Sequence, residues 1–252
     1  MTDIGNVGRP RVLSSGDQAV TVEFGDRIDP AINDRVYAFG EQLSAAAPEW
    51  LVEAVPSYRS LLVQFDPFAI DTAGVTEYCQ MLLGRDAATA GEQLQRRIVK
   101  FDLPVAYGGE HGPDLATVAE HAGLSEDEVV AIHSSTPYRV YMLGFSPGFP
   151  YLGGMDNRIA CPRLQTPRVR VPAGSVGIAE SQTGVYPSAS PGGWQLIGRT
   201  PVRLFDVGHE PPALLEPGHF VQFAPVSMEE FEQIAREVET GKYVVQSVEM
   251  AR

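Results

Sequence analysis

Lysine is nearly absent from this chain of 252 residues: of its 19 basic side chains only Lys100 and Lys242 are lysines. Neither stands in a Gly-Lys-Ser/Thr or a Met-Lys-Met context. The sequence therefore lacks both a P-loop for ATP and a biotinyl-lysine motif, and a Schiff-base lysine has almost no candidate. Cysteine is equally scarce, and Cys79 and Cys161 are too far apart to form a short metal-binding or redox pair. Both are expected to pack in a core, with no disulfide. The five histidines, His111, His121, His133, His209 and His219, show neither HExxH nor any paired short spacing, so no metal site is expected. His133 falls near a helix C-terminus, where the dipole favours an imidazolium with a structural role. No apolar run reaches the length of a membrane span, and the opening MTDIGNVGRP lacks the apolar core of a signal peptide; the cytoplasm is the expected location. A net charge of −13 repels phosphate backbones and anionic membranes, so neither nucleic acid nor membrane is an expected partner.

What is present reads as a soluble α+β protein of two domains, divided at 1–96 and 97–252. In QAVTVEF, residues 18–24, Val20, Val22 and Phe24 share one face of a strand. A helix follows from Asp29 as N-cap with Pro30 at its first position, and Ile32, Val36, Phe39 and Leu43 fall on one face. Strands are expected near Leu51–Val55 and Ser60–Phe65. A second helix carries Val75, Cys79 and Leu82 and is expected to end at Gly84. After the polar stretch DAATAGEQLQRR, IVKFDL alternates as a strand. This β-α-β-β-α-β order suggests a ferredoxin-like domain.

Residues 113–135 form a helical hairpin, the first helix ending at Gly123 and the second capped by Ser125 with Glu128. The hairpin has five acids and no lysine or arginine, which excludes a DNA-reading helix-turn-helix. From 138 to 226 the texture changes to short strands between Gly/Pro turns: RVYML, VGIAE, GVYP, WQLIGR, VRLFD and HFVQFAPV. That pattern implies an all-β barrel or sandwich. MEEFEQIAREVET then reads as an amphipathic helix with Phe231, Ile234 and Val238 inward, followed by a strand in YVVQSVEM.

Chemistry concentrates in the barrel segment. Residues 144–148, GFSPG, fit the Gly-x-Ser-x-Gly elbow of serine hydrolases, with Asp206 and His209 following in triad order. Pro147, however, lacks the N–H that an oxyanion hole needs after the serine, and PGFPYLGG cannot open a helix. GFSPG is expected to be a turn that shapes a pocket or partner surface, with Ser146 not a nucleophile. Between Arg158 and Arg203 the charged residues are Arg158, Arg163, Arg168, Arg170, Arg199 and Arg203 against Glu180 alone. Arginine without lysine suits bidentate binding of a carboxylate or phosphate. About half of these arginines are expected to pair with acids elsewhere in the fold. Around them, Ser175, Gln182, Thr183, Tyr186 and Ser190 offer hydrogen bonds, and Phe149, Tyr151 and Trp194 offer apolar walls.

The stretches VPSYRSLLVQFDP, GFSPGFPYLGGMD, PRVRVPAGSVGIAESQTGVYP and SPGGWQLIGRTPVRLFD resemble the allophanate hydrolase subunit 1 family, of carboxyltransferase C/D type, over about residues 14–226. The family includes the kinase inhibitor KipI and the B subunit of 5-oxoprolinase. The resemblance implies a ferredoxin-like domain followed by a cyclophilin-like β-barrel. It also implies a subunit of an ATP-dependent 5-oxoprolinase, inactive alone, that works with an allophanate hydrolase subunit 2-like protein (the C subunit of 5-oxoprolinase) and with a LamB/YcsF-type protein (the A subunit). ATP would then be used by the complex and not through a phosphate loop on this chain. Two other readings remain open: a KipI-like inhibitor that binds a sensor histidine kinase, and a subunit that hydrolyses allophanate or another amide. In the enzyme reading Gln182, Arg168 and Arg199 carry the chemistry, and Tyr151, Ser175, Thr183, Tyr186, Ser190 and Trp194 form the substrate wall. The chain departs from the family at Glu180, where a small residue is usual, and at His219, where a Pro-Gly-Asp turn reads Pro217-Gly218-His219. The first change is expected to narrow the pocket or engage an arginine, the second to be structural only.

Overall fold

The computed structural model describes residues 9–89 and 98–250. Packing divides the chain into two compact units, one running to residue 96 and the other starting at residue 97, so the expected boundary falls in a segment outside the described residues.

The first unit contains strands β1 (Arg11–Ser14) and β2 (Ala19–Glu23), helix α1 (Pro30–Ala46), strands β3 (Leu51–Pro56) and β4 (Ser60–Phe65), and helix α2 (Thr72–Thr89). Asp29 caps α1 by accepting from the N–H groups of Ala31 and Ile32, Pro30 follows at the first turn, and Ala47 ends the helix in a left-handed conformation. Ile32, Val36, Phe39 and Leu43 share one buried stripe with Val20, Val22, Leu61, Val63, Val75 and Cys79. Helix α2 does not stop at Gly84. A glycine inside a helix costs only about 1 kcal/mol, and the alanines that follow sustain the helix.

The sheet of this unit runs β1-β2-β4-β3, antiparallel throughout. The β-α-β-β-α-β reading assigns IVKFDL to this sheet, but that segment belongs to β5 (Val99–Tyr107) of the second unit. There it pairs with strand Phe220–Pro225 on one side and with strands Gln246–Glu249 and Gln195–Arg199 on the other, and residues 103–106 of β5 are continuously buried. Strand β1, which shows little alternation, takes the edge beside β2.

After β5 come helices α3 (Leu115–Ala122) and α4 (Glu126–Ser134), then strands β6 (Tyr138–Leu143), β7 (Pro150–Gly153), β8 (Arg168–Val171), β9 (Ser175–Ala179), β10 (Gln182–Val185), β11 (Ser190–Gly192), β12 (Gln195–Arg199) and β13 (Phe220–Pro225). Helix α5 (Met228–Glu239) and strand β14 (Gln246–Glu249) complete the unit. The ladder β12-β9-β10-β7-β6-β13-β5 closes through pairing of β12 with β5, giving a seven-stranded barrel. Strand β14 flanks β5, and β8 and β11 form a separate two-stranded ribbon. The expected strand VRLFD is not one; only Phe205 makes a bridge, to Ala213. Ser125 and Glu128 form the expected capping box on α4, and the hairpin buries Leu115, Val118 and Val129 in the barrel core. Among the described helices none is long and apolar enough to cross a membrane.

Candidate functional site

Alternation along the barrel strands creates two apolar compartments. Leu152, Val176, Ile178, Val185 and Ile197 fill the interior. On the other side, Ala179 of β9 and Leu196 of β12 join Phe149, Val171, Tyr186 and Trp194 in a second cluster with Tyr151 against it. The stretches GFSPGFPY, GVYP and GGW, far apart in sequence, meet there. Phe149 is the hub, with ring centroids 5.2 Å from Tyr151, 5.4 Å from Tyr186 and 5.7 Å from Trp194, all edge-on. Gly184 lies close beneath them: a Cβ there would stand 3.0 Å from Trp194 and 3.1 Å from Phe149, so a larger residue would push the two rings by a few tenths of an ångström.

The GFSPG segment is a β-turn at the rim of this cluster. The Phe149 N–H donates to Ser146 O at 3.0 Å, Pro147 sits at the second position and Gly148 at the third with φ +77°, the requirement of a type II turn. A Cβ on Gly148 would also stand 2.8 Å from that of Phe205. Ser146 Oγ is buried with no hydrogen-bond partner among the described residues. Asp206 instead faces His209 at 3.5 Å and Arg203 at 3.6 Å. No triad is assembled. Phe145, at φ +64° and 65% exposed, projects from this loop, its ring 5.4 Å from that of Phe149.

The other expected site residues divide between places. Tyr186 is buried; burial raises its phenol pKa, partly offset by a bond with the Trp194 backbone and by the charges of Arg163 and Arg168. Gln182 starts β10 beside Ala179, facing away from the interior. Ser190 Oγ, in the β8–β11 ribbon, is buried without a partner among the described residues, and Ser175 is buried opposite Arg199. Thr183, expected on the substrate wall, instead points into the barrel. The next residue along a strand faces the opposite side, and Thr183 Oγ1 meets His133 Nε2 at 2.8 Å.

Arg168 also has a different task from clamping a ligand. Its guanidinium grips Asp114 at 2.6 and 2.8 Å and donates to Trp194 O at 3.3 Å. Asp114 in turn accepts from the Leu196 N–H at 2.6 Å. Sequence reading counted Asp114 only among the hairpin's acids; it stands at the N-cap of α3 without a side-chain capping bond, and its arginine lies 54 residues on, beyond any local spacing signal. Arg158 pairs with Asp156 and Arg203 loosely with Asp206, whereas Arg163, Arg170 and Arg199 have no acid partner among the described residues. Arg199 donates through Nε to Ala173 O at 2.8 Å, which orients its fork.

Glu180 neither narrows the cluster nor pairs with an arginine among the described residues. It is exposed in the two-residue turn between β9 and β10, at φ +51°, a conformation that favours glycine. His219 is structural, its Nδ1 accepting from the Glu216 N–H at 3.1 Å. His133 is structural but not an imidazolium: complete burial lowers its pKa to about 3. Cys79 and Cys161 are buried thiols, one in each unit. No group of three metal-ligating side chains occurs among the described residues.

Residues 10–215 match the family described as carboxyltransferase domain, subdomain C and D. The chain is 42% identical over 231 residues to the 5-oxoprolinase B subunit of Bacillus subtilis, covering 88% of this chain and 95% of that protein. It is 43% identical to the 5-oxoprolinase B subunit of Escherichia coli O157:H7, covering 86% of this chain and 96% of that one. Among solved structures, a conserved uncharacterized protein of Pyrococcus horikoshii is 49% identical with a TM-score of 0.52, covering 88% of this chain and all of that one. The K. lactis urea amidolyase, at 24% identity, shares the fold with a TM-score of 0.79 over 96% of this chain and 16% of its own length.

Proposed function

Because the chain belongs to the family of carboxyltransferase domains, subdomain C and D, we propose that it is the B subunit of a 5-oxoprolinase, an amide hydrolase that opens 5-oxoproline to glutamate. The observation that carries this reading is the 42% identity to a protein of that name across 95% of its length, so that both units are included. We assign the complex an ATP requirement, a cytoplasmic setting and two further subunits, one of allophanate hydrolase subunit 2 type and one of LamB/YcsF type. The ferredoxin-like and cyclophilin-like descriptions of the two units belong to the same reading. On this chain the glycine-rich stretch 174–187 is taken up largely by the antiparallel strands β9 and β10. It does not form a strand-to-helix cradle for a triphosphate, and no step is assigned to ATP here.

The chain's own contribution is to bind and orient. A cyclic amide acid needs an anchor for its carboxylate and a donor to its amide oxygen as negative charge develops there. Arg199, held by Ala173 O, supplies the carboxylate anchor in place of Arg168; Gln182, paired with Ala179 at the other end of β9 from Ser175 and Arg199, is not assigned to the same ligand. The aromatic cluster gives a rigid apolar support. The test is glutamate release from 5-oxoproline with ATP, using this chain alone and then with both partner subunits. Release only from the full mixture is expected; none from a demonstrably assembled mixture defeats the reading and turns attention to another amide or to a histidine kinase.

A further inference from the structure

A cleft of about 350 Å³ opens between the apolar face of α5 and the turns at Gly174 and Thr200, away from the aromatic cluster. Its volume lies in the range of small-molecule sites, about 300 to 1,000 Å³. Phe231, Ala235 and Val238 supply an apolar wall, and Arg199 and Arg203 supply two guanidinium groups against a single acid, Glu239.

The rim is built tightly. Gly174 has φ +80°, and a Cβ there would sit 2.1 Å from Thr200 O, so only glycine allows the two turns to meet. The Thr200 N–H donates to Gly174 O at 2.9 Å. Arg199 spends its Nε on Ala173 O, leaving both terminal nitrogens of its fork without a partner among the described residues. Arg203 is 59% exposed and stands 3.6 Å from Asp206, a loose pair that a ligand can compete for. Behind the wall, the His111 ring lies 4.3 Å from that of Phe231 at a tilt of 43°, and its Nε2 is buried with no hydrogen-bond partner among the described residues. A pre-oriented arginine, a second, exposed one and an apolar wall together match one kind of ligand.

We propose that this cleft binds a small carboxylic acid with an apolar body, its carboxylate on Arg199 and Arg203 and its body against Phe231 and Val238. The choice of 5-oxoproline as a probe rests on the proposed function; the cleft itself does not.

The test titrates the full chain with 5-oxoproline and, separately, with inorganic phosphate, by calorimetry and by the imidazole resonances of His111. Saturable binding of 5-oxoproline is expected, weakened about tenfold or more by Arg199→Gln and by Arg203→Gln, the loss expected for a charged hydrogen bond. Arg236→Gln, the same charge change on the exposed side of α5, leaves it unaltered. Arg203 is exposed, so its variant keeps the test decisive should Arg199→Gln misfold. No binding, equal binding by all three variants, or binding of phosphate without 5-oxoproline overturns the proposal. The two readings separate in the reconstituted complex. Glutamate release with an unchanged KM in the Arg203→Gln variant removes the cleft and keeps the function; an inactive complex whose chain binds the acid through Arg203 does the reverse.

Discussion

Thr183 Oγ1 lies 2.8 Å from His133 Nε2, and its neighbours fix the direction of that bond. The Thr183 hydroxyl donates to Gly177 O at 3.1 Å, so toward His133 it must accept. His133 therefore carries its proton on Nε2, and Nδ1 accepts from the Tyr107 hydroxyl at 2.8 Å. A chain of three hydrogen bonds thus crosses the barrel interior, with His133 stacked on Phe223 at 4.6 Å.

Thr183→Val keeps the shape but strands the His133 N–H and removes one bond from Gly177 O. A loss of about 2 kcal/mol is expected, against a much smaller loss for Thr183→Ser, which preserves the hydroxyl. Chemical denaturation of the two variants measures the difference, and equal losses would show that the hydroxyl is not what matters.

The same histidine sets an acid limit. Its folded pKa, about 3, lies below the ordinary value of 6.5 because burial penalises the imidazolium. Between these values the unfolded chain binds a proton that the folded chain refuses. The stabilisation is complete above pH 6.5 and drains away as pH falls toward 3. From pH 6 to pH 5 a fall of about 1 kcal/mol is expected from this group. His111, whose pKa is also lowered, first by burial and then by the Arg199 charge, adds to the fall. Denaturation midpoints at the two pH values check the slope; His133→Phe should flatten most of it, even in a less stable protein.

Asp114 ties the start of α3 to β8 and β12 through Arg168 and the Leu196 N–H. Asp114→Ala takes the acid away from a half-buried guanidinium, which keeps only its bond to Trp194 O, and leaves the buried Leu196 N–H without its partner; a loss of about 3 kcal/mol is expected. Since Arg168 also donates to Trp194 O, tryptophan fluorescence should change before the global transition. A variant with wild-type stability and an unaltered spectrum would rule this coupling out.

Glu180→Gly should stabilise the chain by about 0.5 to 1 kcal/mol, because the left-handed turn at φ +51° costs a glycine little. Thermal unfolding measures it, and a drop in Tm would mean that the Glu180 side chain has a favourable contact.

Much of this architecture is legible from local rules. The α1 cap at Asp29-Pro30, the α4 capping box and the turn-rich barrel all follow from residues close in sequence. What escaped was decided at long range. IVKFDL alternates well enough to join either sheet, and only its partners β13, β14 and β12 settle which. Arg168 finds Asp114 across 54 positions, and Thr183 finds His133 across 50. A strand face flips with every residue, so motif membership alone could not place Gln182 and Thr183 on opposite sides of one sheet. The cleft at α5 was missed for the same reason, its arginines and its apolar wall coming from separate segments.

The strands of the first sheet all come from residues 11–65, and those of the barrel and its flanking strand from 99–249. With β1 in the edge place that β5 was expected to fill, no ladder among the described residues crosses from one set to the other. The two sets meet in sequence between Thr89 and Ile98, so a linker or a protease site introduced there would remove no rung from either described ladder. Each sheet's described strands are thus encoded in one uninterrupted stretch of the gene.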